Sequence, residues 1–386
     1  MKRIQSIDFV RGVVMIIMAL DHVRDLIHVD SITQSPTNLE TTSPALFFTR
    51  WITYLCAPTF VFLAGTSAYI SLKNSNDVVK TRKFLLKRGL YLVLLEFIVV
   101  NFLIFFDPGY NMLLWEVIAT IGFGFIILSL VINFSWKSIA ILGLLIIFFH
   151  NLTPFLPFAE TSVIKRVLMP FFAPAALPMP GGIFVVGYPP IPWLGIMLAG
   201  FAAGKLFERD QTGRKRIFIL IGTAAVLLFV MIRFINIYGD SQPWSAQKTS
   251  LLTFLSFMNV SKYPPSLVFC LITLGIMFLM LSLSEGLKSK LVNVVSVYGK
   301  VPLFYFLVHF FVIHLIMLVI MLLQGFSWSQ LDFASGSFGR PKDVVSGLSL
   351  FNIYILWIAI VVALYFPCKW YGQYKQTHNK GWLKYL

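Results

Sequence analysis

The chain has 386 residues, of which 58% are hydrophobic and only 12% charged. A soluble protein carries about a quarter of its residues as Asp, Glu, Lys or Arg, so a water-soluble globular enzyme is excluded and a multi-span membrane protein is indicated. The formal net charge of +15 requires no nucleic-acid partner, and none is expected, because basic residues in such a chain mark topology and contact anionic membrane lipid.

Apolar runs of roughly 20 residues, the length a bilayer demands, are read in chain order at approximately 8–28, 46–72, 84–106, 112–132, 136–153, 187–207, 216–236, 264–284, 297–323 and 350–371. The expected fold class is all-α, a polytopic bundle of about ten transmembrane helices forming a single domain over 1–386. The opening "MKRIQSIDFVRG" has the charged start of a signal peptide, but no small-x-small cleavage site follows, so it reads as a retained first span. Of the 31 Lys and Arg, 21 fall on the side of the N-terminus and eight on the opposite side, with Arg11 and Arg233 inside spans. That asymmetry predicts both termini in the cytoplasm. Cys56, Cys270 and Cys368 are scattered through apolar runs. They show no disulfide or metal spacing, read as core cysteines, and leave no metal expected.

The first span ends in "MALDHVRDLIHVD", residues 18–30, an unusual density of acids and bases for a membrane helix. Asp8, Arg11, Met15, Met18, His22 and Asp25 follow steps of three and four, so they share one helix face. Eleven residues separate Arg11 from His22, about 16 Å along a helix. Ionisable groups in a span are costly and face a cavity or a partner. Two readings stand: a buried polar network that pins helices together, or a base at the outer end of a transmembrane cavity. His309 lies nine residues beyond Lys300, about 14 Å on a helix, which repeats the cation-to-histidine spacing and makes His309 a candidate for the same interior line. His314 reads as a packed helix histidine. Glu96, at mid-span, is expected to pair with Arg11 or Arg233, and Glu116, beside Trp115, to anchor the interface.

The outer connection 154–192 is rich in Pro, Gly and aromatics and ends "MPGGIFVVGYPPIPW"; a second "YPP" stands at 263–265. Both precede inward-running spans. Simple helix entry accounts for the prolines; the functional reading is a stiff aromatic rim of Tyr188, Trp193 and Tyr263 over a pocket for a substrate, with His28 nearby.

Several blocks carry a family resemblance: "SIDFVRG" at 6–12, "LCAPTFVFLAGTSA" at 55–68, "YPPIPWLGIMLAGFAAGKLF" at 188–207, "KYPPSLVFCLITLG" at 262–275, "YGKVPLFYFLVHFFVIH" at 298–314 and the closing "YFPCKWYGQYKQTHNKGWLKYL". In this order they resemble the catalytic domain of the heparan-alpha-glucosaminide N-acetyltransferase family in its short bacterial form, within a wider set of transmembrane acyltransferases. The wider set also carries an Arg, ten residues and a His in its first span, here Arg11 and His22. Eukaryotic members of the family place the catalytic histidine in the outer loop. The matching position here is Pro44, so that role falls to His22, with His28 as the alternative.

The resemblance implies an integral protein of the bacterial plasma membrane that moves an acyl group, acetyl by family default, from cytoplasmic acyl-CoA to a sugar or glycan hydroxyl or amine outside. His22 would be the base, and Asp25 or Asp21 its orienting partner. Arg11, Lys300 and the loop residues Arg82, Lys83 and Arg88 would hold the anionic end of CoA, with His309 on the acyl path. Membrane lipid, a glycan acceptor and a second copy of the chain are the expected partners. The rival from another class is a secondary transporter of a sugar or lipid-linked intermediate, for which two related halves would be the sign.

Overall fold

The computed structural model describes residues 4–155, 162–378 and 380–385. Lys2 and Arg3, which count toward the charge asymmetry, and residues 156–161 of the 154–192 connection lie outside that set. The elements are α1 (Gln5–Ile27), α2 (Pro44–Thr53), α3 (Cys56–Ser75), α4 (Val78–Leu95), α5 (Asn101–Phe105), β1 (Met112–Trp115), α6 (Val117–Val131), α7 (Trp136–Phe149), α8 (Val163–Leu168), β2 (Ala175–Met179), β3 (Gly182–Val186), α9 (Pro190–Ala203), α10 (Gln211–Ile235), α11 (Ser250–Met258), α12 (Leu267–Ser284), α13 (Lys290–Lys300), α14 (Pro302–Leu323) and α15 (Leu350–Thr377).

Every predicted span falls on helix. Eight segments are long and apolar enough to cross a membrane. The other two are α6, apolar but shorter, and α1, whose 23 residues include Asp8, Arg11, Asp21, Arg24 and Asp25. Helix starts follow local chemistry. Ser43, Asp77, Ser135, Asp210 and Ser266 each accept a hydrogen bond from a first-turn backbone N–H, which satisfies donors that the helix leaves open. Cys56, Cys270 and Cys368 are free and buried.

Two predicted spans need trimming. Residues 112–115 are strand, not the first turn of a helix, because both sides of that backbone find partners. Asn101 Oδ1 accepts from the Leu114 N–H at 2.6 Å, and β1 pairs in parallel with β3 from Met112↔Ile183 to Trp115↔Val186. The ninth span begins at Pro302 rather than 297, since the backbone breaks at Val301 and proline opens the new helix. Lys300 and His309 therefore do not share one continuous helix.

Part of the 154–192 connection is ordered as the antiparallel hairpin β2–β3, which turns at Gly181 with φ +80°. In the resulting sheet, order β1-β3-β2, Trp115 and Val186 are register partners. The parallel strands deliver the next residues, Glu116 and Tyr188, to the same end of the bundle. The N–H groups of Gly187 and Tyr188 both donate to the Trp115 carbonyl at 3.1 Å.

Close backbone approach fixes α1 in the bundle. A Cβ on Gly299 of α13 would lie 1.9 Å from the Asp8 carbonyl oxygen, and one on Gly12 of α1 would lie 2.1 Å from that of Val295. Small residues let membrane helices meet at this range. Gly299→Val is expected to destabilise the protein by about 1–3 kcal/mol or more through overpacking. Gly381→Ala, where nothing lies within 4 Å, should be neutral. Thermal unfolding in detergent checks the pair, and equal midpoints would contradict this packing.

At the other end of α1, Arg340 from the 324–349 loop is fully buried. It donates to the His28 carbonyl at 2.7 Å and to Ser31 Oγ at 2.8 Å, while His28 and Leu348 form a parallel bridge. The loop is thereby clamped over the end of α1.

Candidate active site

α1 and α14 bring two histidines together. His22 Nδ1 lies 2.6 Å from His309 Nε2, and His309 Nδ1 lies 2.9 Å from the Tyr305 carbonyl oxygen. A carbonyl only accepts, so His309 carries its proton on Nδ1 and presents a lone pair at Nε2. His22 must then donate from Nδ1, which leaves its own Nε2 unprotonated. This tautomer assignment follows from the hydrogen-bond network. Phe310 stacks on the His22 ring at 4.1 Å between centroids and Phe306 meets it edge-on at 6.3 Å, which fixes the ring plane. The arrangement is a neutral base with one ring nitrogen anchored and the other available.

His22 lines a cavity of about 140 Å³ at the C-terminal end of α1, here called distal. A larger proximal cavity of about 380 Å³ lies toward the N-terminal end of α1. Phe60, Val117 and Phe306 line both, so the two compartments meet at an apolar septum close to His22. Arg11, Arg88, Lys300 and Lys375 converge on the proximal cavity, where Arg11 donates to Ser67 Oγ at 3.0 Å. Arg11 and Arg88 are near enough to repel each other. Of the basic residues expected to hold a donor, Arg11, Arg88 and Lys300 thus come together. Arg82 and Lys83 are exposed and line neither cavity, because they lie on other faces of α4. His309 is fully buried behind His22 and lines neither cavity; it is the partner of the histidine, not a wall of an acyl channel.

The hydrogen bond to the His22 ring expected of Asp21 or Asp25 is made with His309 instead. Asp21 accepts from Arg24 at 2.7 Å, from Arg50 at 2.7 and 2.8 Å, and from Thr53 Oγ1 at 2.9 Å. Asp25 accepts from Arg24 at 2.5 Å, with its side chain 41% exposed. Both carboxylates line the distal cavity, but their hydrogen bonds are spent on arginines. His28 is likewise no cavity residue: its carbonyl serves Arg340, and its Nδ1 accepts from the Asp30 N–H at 3.3 Å.

Tyr188 and Tyr263 do line the distal cavity, with ring centroids 5.1 Å apart and hydroxyls at 3.3 Å. Trp193 does not. It is fully buried beneath Tyr188 at 4.9 Å between centroids, so it supports the rim and offers no face to a ligand. Glu96 does not pair with Arg11 or Arg233. Its Oε2 accepts from the Ala119 N–H at 2.9 Å at the start of α6. Arg233 instead donates to the carbonyls of Gln242, Ser256, Phe257 and Asn259. His314 packs flat on Phe106 at 3.9 Å, as a packed helix histidine should.

Sequence reasoning missed three residues of the distal cavity: Arg50, Glu116 and Lys262. Glu116 read as an interface anchor, yet the strand pairing turns it inward. Lys262 stands in "KYPP", directly before Tyr263. Its ammonium lies over the rings of Tyr188 at 5.7 Å and Tyr263 at 5.0 Å. Burial works against that charge, but Tyr263 and Asp21 outweigh it and hold the group protonated above the usual lysine range.

A helical bundle with a cationic cavity at one end, an adjoining cavity of acids and bases at the other and His22, paired with His309, lining the second marks an integral membrane protein with polar cavities among its helices. The chain belongs to the heparan-alpha-glucosaminide N-acetyltransferase catalytic family, whose model matches residues 3–243, and hence to a family of membrane acetyltransferases. The match takes in Arg11, His22, Arg88 and Tyr188, whereas Lys262, Lys300 and His309 lie beyond it. No curated protein matches the chain.

Proposed function

We propose that the protein transfers an acetyl group from acetyl-CoA, bound in the proximal cavity, to a sugar hydroxyl or amine held in the distal one. The observation that carries this reading is the His22 Nε2 lone pair beside the septum that joins a cationic cavity to an acid–base cavity. The excess of Lys and Arg on the N-terminal side supports a cytoplasmic proximal mouth and an external distal mouth, in a bacterial plasma membrane. Four cations around the proximal cavity suit the phosphates of CoA, and a thin pantetheine arm suits the passage past Phe60 and Phe306. The thioester carbonyl then sits beside His22. The acceptor attacks that carbon while His22 Nε2 takes its proton. His309 holds the tautomer that makes this possible, and the tyrosine rim stacks on the sugar face.

The test is direct. The double substitution Arg11→Ala/Arg88→Ala is expected to weaken CoA binding about tenfold or more, since each charge-assisted hydrogen bond contributes about 1.5–3 kcal/mol. His22→Ala protein should bind CoA as the unsubstituted protein does. Isothermal calorimetry in detergent reads both, and unchanged affinity in the arginine variant would remove CoA from the proximal cavity.

A further inference from the structure

We infer that Lys262 is a catalytic residue of this reaction, the donor that stabilises the oxyanion formed when the acceptor attacks the thioester. The inference rests on the acetyl-CoA reading above and adds a residue to it. Three observations lead there. Lys262 is 7% exposed and lines the same cavity as His22. Among the described residues, no carboxylate oxygen lies within 4 Å of its ammonium; the other distal-cavity cation, Arg50, is 2.7 Å from Asp21. The ammonium is nevertheless close enough to act electrostatically on His22, Glu116 and Cys56, which surround the cavity.

Burial opposes this charge, and Tyr263 with Asp21 offsets that cost although no carboxylate oxygen reaches the ammonium within 4 Å. Here the faces of Tyr188 and Tyr263 hold it in place through their ring quadrupoles without neutralising it. Negative charge that develops in front of it meets a donor already in place, which is how preorganised donors favour a transition state over a ground state. The step balances as follows. The acceptor lone pair forms a bond to the carbonyl carbon and the C=O π pair moves onto oxygen, where Lys262 donates a hydrogen bond. His22 Nε2 takes the acceptor proton. The C=O bond re-forms, the C–S bond breaks, and the departing thiolate takes the proton from His22. Lys262 keeps its three protons throughout.

Two stable CoA thioethers test this without knowledge of the acceptor. S-carboxymethyl-CoA places an anion where the oxyanion forms, and S-acetonyl-CoA is its neutral counterpart. The unsubstituted protein is expected to bind the carboxymethyl compound about tenfold or more tightly than the acetonyl one. Lys262→Met should bring that ratio to about one, Lys262→Arg should keep part of it, and all three proteins should bind CoA itself equally. A merely structural lysine would not move the ratio. A ratio near one in the unsubstituted protein, or one unchanged in Lys262→Met, overturns the assignment. If Lys262→Met does not fold, Lys262→Gln takes its place. Failure of the unsubstituted protein to bind CoA or either thioether is a separate result, which overturns the acetyl-CoA reading and this inference with it.

Discussion

Replacement of His22 by Ala is expected to lower acetyl transfer by a factor on the order of 10² to 10⁴, the usual contribution of a positioned general base, with CoA binding intact. The base is singled out by geometry. Its Nδ1 is committed to His309, and the residue lines the distal cavity. Loss of the imidazole removes the proton acceptor and leaves the proximal cations untouched. His309→Phe should cost less. The base remains, but its Nδ1 loses the acceptor that selects the tautomer, so a fraction of the protein presents Nε2–H to the substrate instead. Transfer of label from acetyl-CoA enclosed with the protein in liposomes measures both. Full turnover by folded His22→Ala protein would make the histidine pair a structural element and send the search for a base to Glu116.

Asp21→Ala is expected to destabilise the protein by about 3–5 kcal/mol, the cost of breaking a buried ion pair from one side. Its carboxylate holds Arg24, which is fully buried, and Arg50, whose side chain is 15% exposed. Asp25 keeps Arg24 at 2.5 Å but approaches Arg50 only at 3.9 Å, so Arg50 is the cation left without a close carboxylate. Asp21→Asn keeps some of the hydrogen bonding and should fall between. Thermal midpoints in detergent read the series, and specific activity corrected for folded protein separates stability from catalysis. A midpoint unchanged in Asp21→Ala would mean that the arginines find other acceptors.

What the sequence revealed and what it hid follow from distance along the chain. The ten apolar runs are local signals, and all ten coincide with helix. The polar face of α1 is local too, so Arg11 and His22 could be placed at opposite ends of one line from periodicity alone. The partner of His22 stands 287 residues away on another helix, and no local pattern announces it. The nearer carboxylates look free to orient the ring until Arg24 at i+3 and Arg50 from α2 are both counted against Asp21. The strand at Met112–Trp115 was hidden by its composition, since a short apolar run suits a helix and a strand equally. Only its pairing with a segment 71 residues later decides between them. Lys262 stood in a motif that was read for its aromatic and its prolines.

The septum between the cavities has a consequence for the cell's energy supply. Phe60, Val117 and Phe306 are the side chains shared by the two chambers, and none can relay a proton. A chain of water through such a protein would short-circuit the ion gradient that the membrane maintains. On the transfer reading proposed above, a donor seated against these side chains would let a two-carbon unit cross an insulating layer with no side-chain relay for protons beside it.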